Sequence, residues 1–295
     1  MKEEGTLESI WPGSNIGKIL HRNKYASLSQ IIFSIGIFVL FSASHLLFSI
    51  KAIYAQEWQE EKSEHFLVYY ANDPQFAEEV SRKAETYYKK IASELGYQRY
   101  SDFWTWDKRA KIYIYPDRES FLKSTDQPQW SEGVADYYAK KISSYAWSEG
   151  FLDALLPHEM AHLIFRDYVG FTGEIPLWLD EGVAQWMEPK KRELVKTAVA
   201  RIAQQGKLLS VARMMSLDIR TNEDAEFVGA YYVQAVSLVS FLVTQYGPTK
   251  FTNFCRQLRD GKTVEEALIF VYPTSIRGLE ELEKKWVQYI KGGTV

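Results

Sequence analysis

From Tyr25 to Ile50 the chain carries no Asp, Glu, Lys or Arg, and this run divides everything before it from everything after it. Residues 31–50 are predominantly apolar, and a helix needs about 20 such residues to cross the hydrocarbon core of a bilayer. Lys18, Arg22 and Lys24 precede the run closely, while only Lys51 and Lys62 follow nearby. Positive flanks stay in the cytoplasm, so the N-terminus is expected inside and all residues beyond Ile50 outside. The expected organisation is a cytoplasmic tail over 1–24, a transmembrane signal anchor over 25–51, a polar linker over 52–63 and one domain over 64–293. A cleaved signal peptide ending at Ala55 would release that domain instead of tethering it. The length of the apolar stretch and of the tail ahead of it favours the anchor, with the lipid bilayer as its partner.

The remainder is long enough for a sizeable core. Its sheet-forming segments come first. HFLVYY (65–70) and KIYIYP (111–116) read as strands, and GVADYYAKKISSYAW (133–147) as two strands joined by a turn near Ala139–Lys140. The second of that pair is expected at a sheet edge facing a cleft. Asp73–Pro74 opens a helix that Gly96 ends. From Phe151 onward the pattern is helical, with helices expected near 153–168, 177–188, 191–205, 226–246, 248–260, 263–271 and 276–291, punctuated by Gly and Pro. The fold class is therefore α+β: a small mixed sheet (lobe about 64–149) followed by a mainly helical half (about 150–293), preceded by one transmembrane helix.

A formal net charge of −3 gives no basic field for nucleic acid, which is not expected as a partner. The single cysteine, Cys255, excludes an intramolecular disulfide and a cysteine-built zinc site. Its setting among Phe251, Phe254 and Leu258 marks it as a small buried hydrophobe.

Residues 158–162 read His-Glu-Met-Ala-His. Histidines four apart on a helix project from one face, one turn apart, and can bind the same zinc ion. Glu159 is offset from that face but within reach of a water on the metal. Zinc lowers the pKa of such a water towards about 7, which suits a carboxylate general base. Pro157 is tolerable only in the first turn of the helix, or else kinks it. Beyond the anchor the only further histidine is His65, in the first strand, so a carboxylate is the better third ligand. Asp180 and Glu181 lie in an apolar helix started by Pro176, where acids do not stay unpaired. Two His and one carboxylate leave a fourth position open, which marks a catalytic rather than a structural zinc site.

His158-Glu159-x-x-His162, followed after eighteen residues by Glu181 within Trp-Leu-Asp-Glu-Gly-Val-Ala, resembles the gluzincin metallopeptidases. It is especially similar to the peptidase-MA-like families, related to aminopeptidase N and thermolysin. The resemblance implies a zincin-like fold, one Zn2+ per chain held by His158, His162 and Glu181, and Glu159 as general base. It implies a peptide or protein as substrate. Tyr231-Tyr232-Val-Gln234 is similar to the family's helix bearing an oxyanion-stabilising Tyr, with Tyr232 as the matching position and Tyr231 in reserve. The aminopeptidase segment that reads a free amino terminus is absent, which implies an endopeptidase rather than an aminopeptidase. Asp180 stands where aminopeptidases commonly carry Asn; it either orients a ligand or caps or salt-bridges at the surface. Gln185 stands where thermolysin-like enzymes carry an Asp that orients a ligand. Two other classes fit the same residues: a zincin-fold binding or scaffold protein without catalysis, and a membrane-tethered structural protein without metal.

Overall fold

The computed structural model describes residues 57–292 except 97–103, 106–107, 130, 147–149, 173–174, 220–221 and 223. The expected tail, the anchor and the first part of the linker lie outside the described residues. Five strands form one mixed sheet: β1 (Gln59–Lys62), β2 (Phe66–Tyr70), β3 (Ala110–Tyr115), β4 (Gly133–Asp136) and β5 (Lys141–Tyr145), in the order β1-β2-β3-β5-β4. β2, β3 and β5 are mutually parallel; β1 and β4 run antiparallel at the two ends.

The register sorts side chains by face, as a period of two requires. Phe66, Val68, Ile112, Ile114 and Ile142 are buried on the inner face. Tyr69, Tyr113 and Tyr115 lie on the other, where Tyr69 stacks on Tyr113 and Trp58 packs edge-on against Tyr113 and Tyr115. Helix α1 (Pro74–Glu94) covers the inner face with Phe76, Ala77, Val80, Ala84, Tyr87 and Ile91, a stripe at helical spacing. Asp73 caps it by accepting the Phe76 N–H at 2.9 Å, and Pro74 opens its first turn. A short helix, α2 (Arg118–Thr125), rests Phe121 near Tyr115 and Tyr145 on the other face.

Two expectations are corrected here. Gln59–Lys62, expected in the linker, is a strand. Its mostly exposed, charged side chains show no alternation, and its pairing is supplied by the free edge of β2. β5, expected at an edge, is interior, between β3 and β4; β4 is the edge among the described residues. The polar look of β5 comes from Ser143 and Ser144, both buried, with the Ser144 hydroxyl donating to the Glu132 carbonyl at 2.7 Å.

The rest is helical. A π-helical turn (Phe151–Leu155) runs into α3 (Leu156–Val169), so Pro157 falls in the first turn of α3, where a missing N–H is tolerable. There follow α4 (Leu177–Met187), α5 (Pro189–Gln204), α6 (Val211–Ser216), α7 (Ala225–Tyr246), α8 (Pro248–Arg259), α9 (Val264–Val271) and α10 (Leu279–Ile290). Of the eight helices among the described residues of this half, only α6 has no counterpart among those expected. Among the described residues α7 alone is long and apolar enough to cross a membrane, but it is the central core helix and mostly buried. Gly182 lets α4 lie directly on α7: a Cβ there would stand 2.8 Å from the Ala235 carbonyl oxygen and 2.7 Å from Val239 Cγ2. Cys255 is buried in α8, where burial pushes its thiol pKa up.

Candidate metal centre

α3 and α4 pack face to face and carry the site between them. His158 and His162 lie one turn apart on the buried side of α3, and Glu181 faces them from α4. All three side chains are essentially inaccessible to solvent. The two Nε2 atoms are 3.1 Å apart, and each stands 3.9 Å from a Glu181 carboxylate oxygen. One ligand atom from each of the three residues lies within 4.8 Å of the others, the spread a single small cation would span. A tetrahedral zinc with Zn–N bonds of about 2.0–2.1 Å would hold its ligand atoms ~3.3 Å apart.

The far side of each imidazole is committed. His158 Nδ1 lies 2.8 Å from Glu188 Oε1, and His162 Nδ1 lies 2.9 Å from Asp180 Oδ1. A carboxylate can only accept, so each Nδ1 carries the hydrogen and each Nε2 is left to the shared point. Of the two sequence alternatives for Asp180, the structure shows the one in which it orients a ligand candidate. Lys191 Nζ, itself buried, donates to the same Glu188 oxygen at 2.9 Å. Burial pushes the Glu188 carboxyl up, but the Lys191 and His158 contacts outweigh it and hold it below its ordinary value. Gln185, four residues after Glu181, is fully buried in α4.

Three observations make the group fit a cation. Glu181 Oε2 is buried and has no hydrogen-bond partner among the described residues. Burial pushes the Glu181 carboxyl up, although His162 and His158 pull it down. Burial likewise opposes a charge on His162, yet Asp180, Glu181 and Glu159 outweigh it and push its pKa up to about 10. A pocket that stabilises a proton on imidazole so strongly is a pocket that stabilises positive charge. The donor set of two imidazoles and a carboxylate suits zinc among divalent ions.

Glu159 is buried in the first turn of α3. The tyrosine pair opens α7. Tyr231 is fully buried with its hydroxyl 3.5 Å from the Met214 carbonyl, and burial followed by the charge of Glu181 pushes its pKa up. Tyr232 is half-buried with its ring edge-on to Tyr231 at 6.0 Å. His65 belongs elsewhere: its Nδ1 lies 2.7 Å from Glu85 on α1 and its ring stacks on Tyr88.

Sequence reasoning did not find Glu188, which lies seven residues after Glu181. Two helical turns place both acids on one face, and that spacing was the available signal. Nor did it find Tyr137, in the β4–β5 turn, whose ring lies edge-on to His162 at 6.2 Å.

The family model described as the Peptidase MA superfamily matches residues 105–292. Among solved structures, the chain is similar to an M1 zinc metallopeptidase from Deinococcus radiodurans at 18% identity and a TM-score of 0.44, covering 81% of this chain and 52% of that one. It is similar to a Glu-to-Ala mutant of that enzyme at 18% identity and a TM-score of 0.44, covering 81% and 53%. The same mutant bound to a Tyr-Ser-Ala substrate matches at 16% identity and a TM-score of 0.39, covering 81% and 52%. The matched region thus spans about half the length of these enzymes. Comparison with curated proteins gives no match.

Proposed function

Because the chain belongs to the Peptidase MA superfamily, we propose that it is a zinc-dependent metallopeptidase, anchored in the membrane by 25–51 and hydrolysing peptide bonds outside the cytoplasm. The observation that carries this reading is the convergence of His158, His162 and Glu181, each histidine fixed from behind by an acid. These three residues would hold one zinc ion. Bound there, zinc supplies an electrophile for the scissile carbonyl and acidifies water.

Glu159 takes the proton of the attacking water and passes it to the leaving amine, the general-base and general-acid halves of one turnover. Asp180 and Glu188 keep both imidazoles in one tautomer and one orientation. Tyr232 donates to the carbonyl oxygen as it gains charge; it is half-buried, whereas Tyr231 is fully buried in the core. The antiparallel edge strand β4 offers an extended peptide a backbone to pair with, which fits an endopeptidase.

Full-length protein with Glu159→Gln tests the proposal. The variant should retain about one zinc per chain by elemental mass spectrometry and lose turnover of a peptide library by a factor of about 10²–10⁴. Normal turnover in that variant refutes the mechanism. A zinc-loaded wild type that cleaves nothing would leave the zincin-fold scaffold reading in front.

A further inference from the structure

We propose that Tyr137 is a catalytic residue of this site, its hydroxyl donating a hydrogen bond to the reacting carbonyl oxygen from the side of the β4–β5 turn. The inference rests on the metallopeptidase reading above and adds to it a residue outside the helical motif.

The turn is built to aim this side chain. Asp136 Oδ1 accepts the N–H groups of Tyr138 and Ala139 at 3.1 and 3.0 Å, which fixes the chain directly after Tyr137. Lys140 closes the turn in the left-handed region at φ 48°, and its Nζ meets Asp167 Oδ2 on α3 at 2.6 Å. Asp167 also accepts the Trp104 indole N–H at 3.0 Å, so the clamp is itself held. One turn beyond His162, Arg166 lays its guanidinium over the Tyr137 ring, 4.7 Å from the centroid. The C-terminal half of α3 therefore grips the turn by a ring contact and an ion pair, while its N-terminal half carries the two histidines.

The result is a ring set edge-on to His162 and a hydroxyl that is buried without a hydrogen-bond partner among the described residues. A buried hydroxyl left unpaired costs about 1–3 kcal/mol, so its retention beside a reactive site asks for a partner that arrives with substrate. The neighbouring turn residue, Tyr138, is by contrast 90% exposed. Burial, then the charges of Asp180, Glu159 and Glu181, push the Tyr137 pKa well above its ordinary value against the pull of Arg166. Tyr232, which the reading above assigns to the same oxygen, belongs to α7, so the two hydroxyls come from separate elements.

The test is Tyr137→Phe in the full-length protein, which removes the oxygen and keeps the ring. Three quantities are read: zinc content, peptide turnover, and equilibrium affinity for a phosphinic pseudopeptide, whose tetrahedral oxygens mimic the charged carbonyl oxygen. Loss of one such donor typically costs about 10²–10³ in kcat. The expected result is that loss, KM within about twofold, and a phosphinate affinity at least about tenfold weaker, with zinc and melting temperature unchanged. Wild-type phosphinate affinity and kcat in a zinc-replete variant overturn the role of Tyr137 and leave the peptidase reading intact. Wild-type protein that holds no zinc and binds no phosphinate removes both.

Discussion

His158 Nδ1 and Glu188 Oε1 stand 2.8 Å apart in a buried contact, and Lys191 Nζ closes on the same oxygen at 2.9 Å. The imidazole is thereby oriented by a carboxylate that a lysine keeps ionised. Glu188→Gln should lower zinc affinity by about 10–100-fold, the usual cost of losing such a support. Competition with a chromophoric chelator measures it. Wild-type affinity in this variant would show that packing in α3 alone orients His158.

Removing the metal should unsettle the fold, since the residues that would hold it tie α3 to α4. A ligand at 1,000 times its Kd stabilises by about 4 kcal/mol. For a domain of this size that is roughly ten degrees in melting temperature. Chelation followed by differential scanning calorimetry should show the fall, and added zinc should reverse it. An unchanged transition would favour the structural reading without metal.

Gly182 is dictated by distance and not by backbone angle. Gly182→Ala would drive a methyl into the Ala235 carbonyl and Val239, neither of which is the loose end of a flexible side chain. The expected cost is about 1–3 kcal/mol, as for overpacked cores. Because Glu181 is the adjacent residue, zinc affinity should fall with stability. Denaturant unfolding with and without metal separates the two effects, and wild-type behaviour in both would mean that α4 and α7 can spread.

The acid limb of stability should contain a contribution from Glu85. Burial pushes its carboxyl up, but hydrogen bonds from the His65 ring and the His65 backbone N–H hold it below the ordinary 4.5. A carboxyl lowered on folding binds fewer protons folded than unfolded. Its stabilisation is complete above the ordinary value and is lost as pH falls through the lowered one. Glu85→Gln should flatten that limb and cost about 1 kcal/mol at neutral pH. Urea titrations at pH 7 and pH 4 compare the two proteins; parallel losses at both pH values would contradict the assignment.

Much of this was legible because the signals are local. Apolar spacing in α1 and α7, Pro at helix starts and Gly at helix ends placed most elements close to their observed bounds. The His158/His162 spacing put both rings on one helical face, and Glu181 lies beside them in the fold. What escaped is non-local. Gln59–Lys62 has the composition of a linker and becomes a strand only because β2 offers it an edge. Ser143 and Ser144 look solvated in the sequence yet are buried between neighbouring strands. Tyr137 lies far from the motif in sequence and reaches His162 only through the clamp of Arg166 and Lys140 on the turn.

Glu159, Asp180, Glu181 and Glu188 bring four carboxyl groups into the interior, and Lys191 is the one buried lysine or arginine among the described residues. That excess of negative charge pushes the His162 pKa up, so the site favours a proton as well as a metal ion. Any divalent ion entering must displace what the imidazole holds, so loading exchanges one kind of positive charge for another. Occupancy then follows the acidity of the compartment as well as its metal supply. Competition from the proton weakens as pH rises, so loading should strengthen steadily from acidic to alkaline conditions.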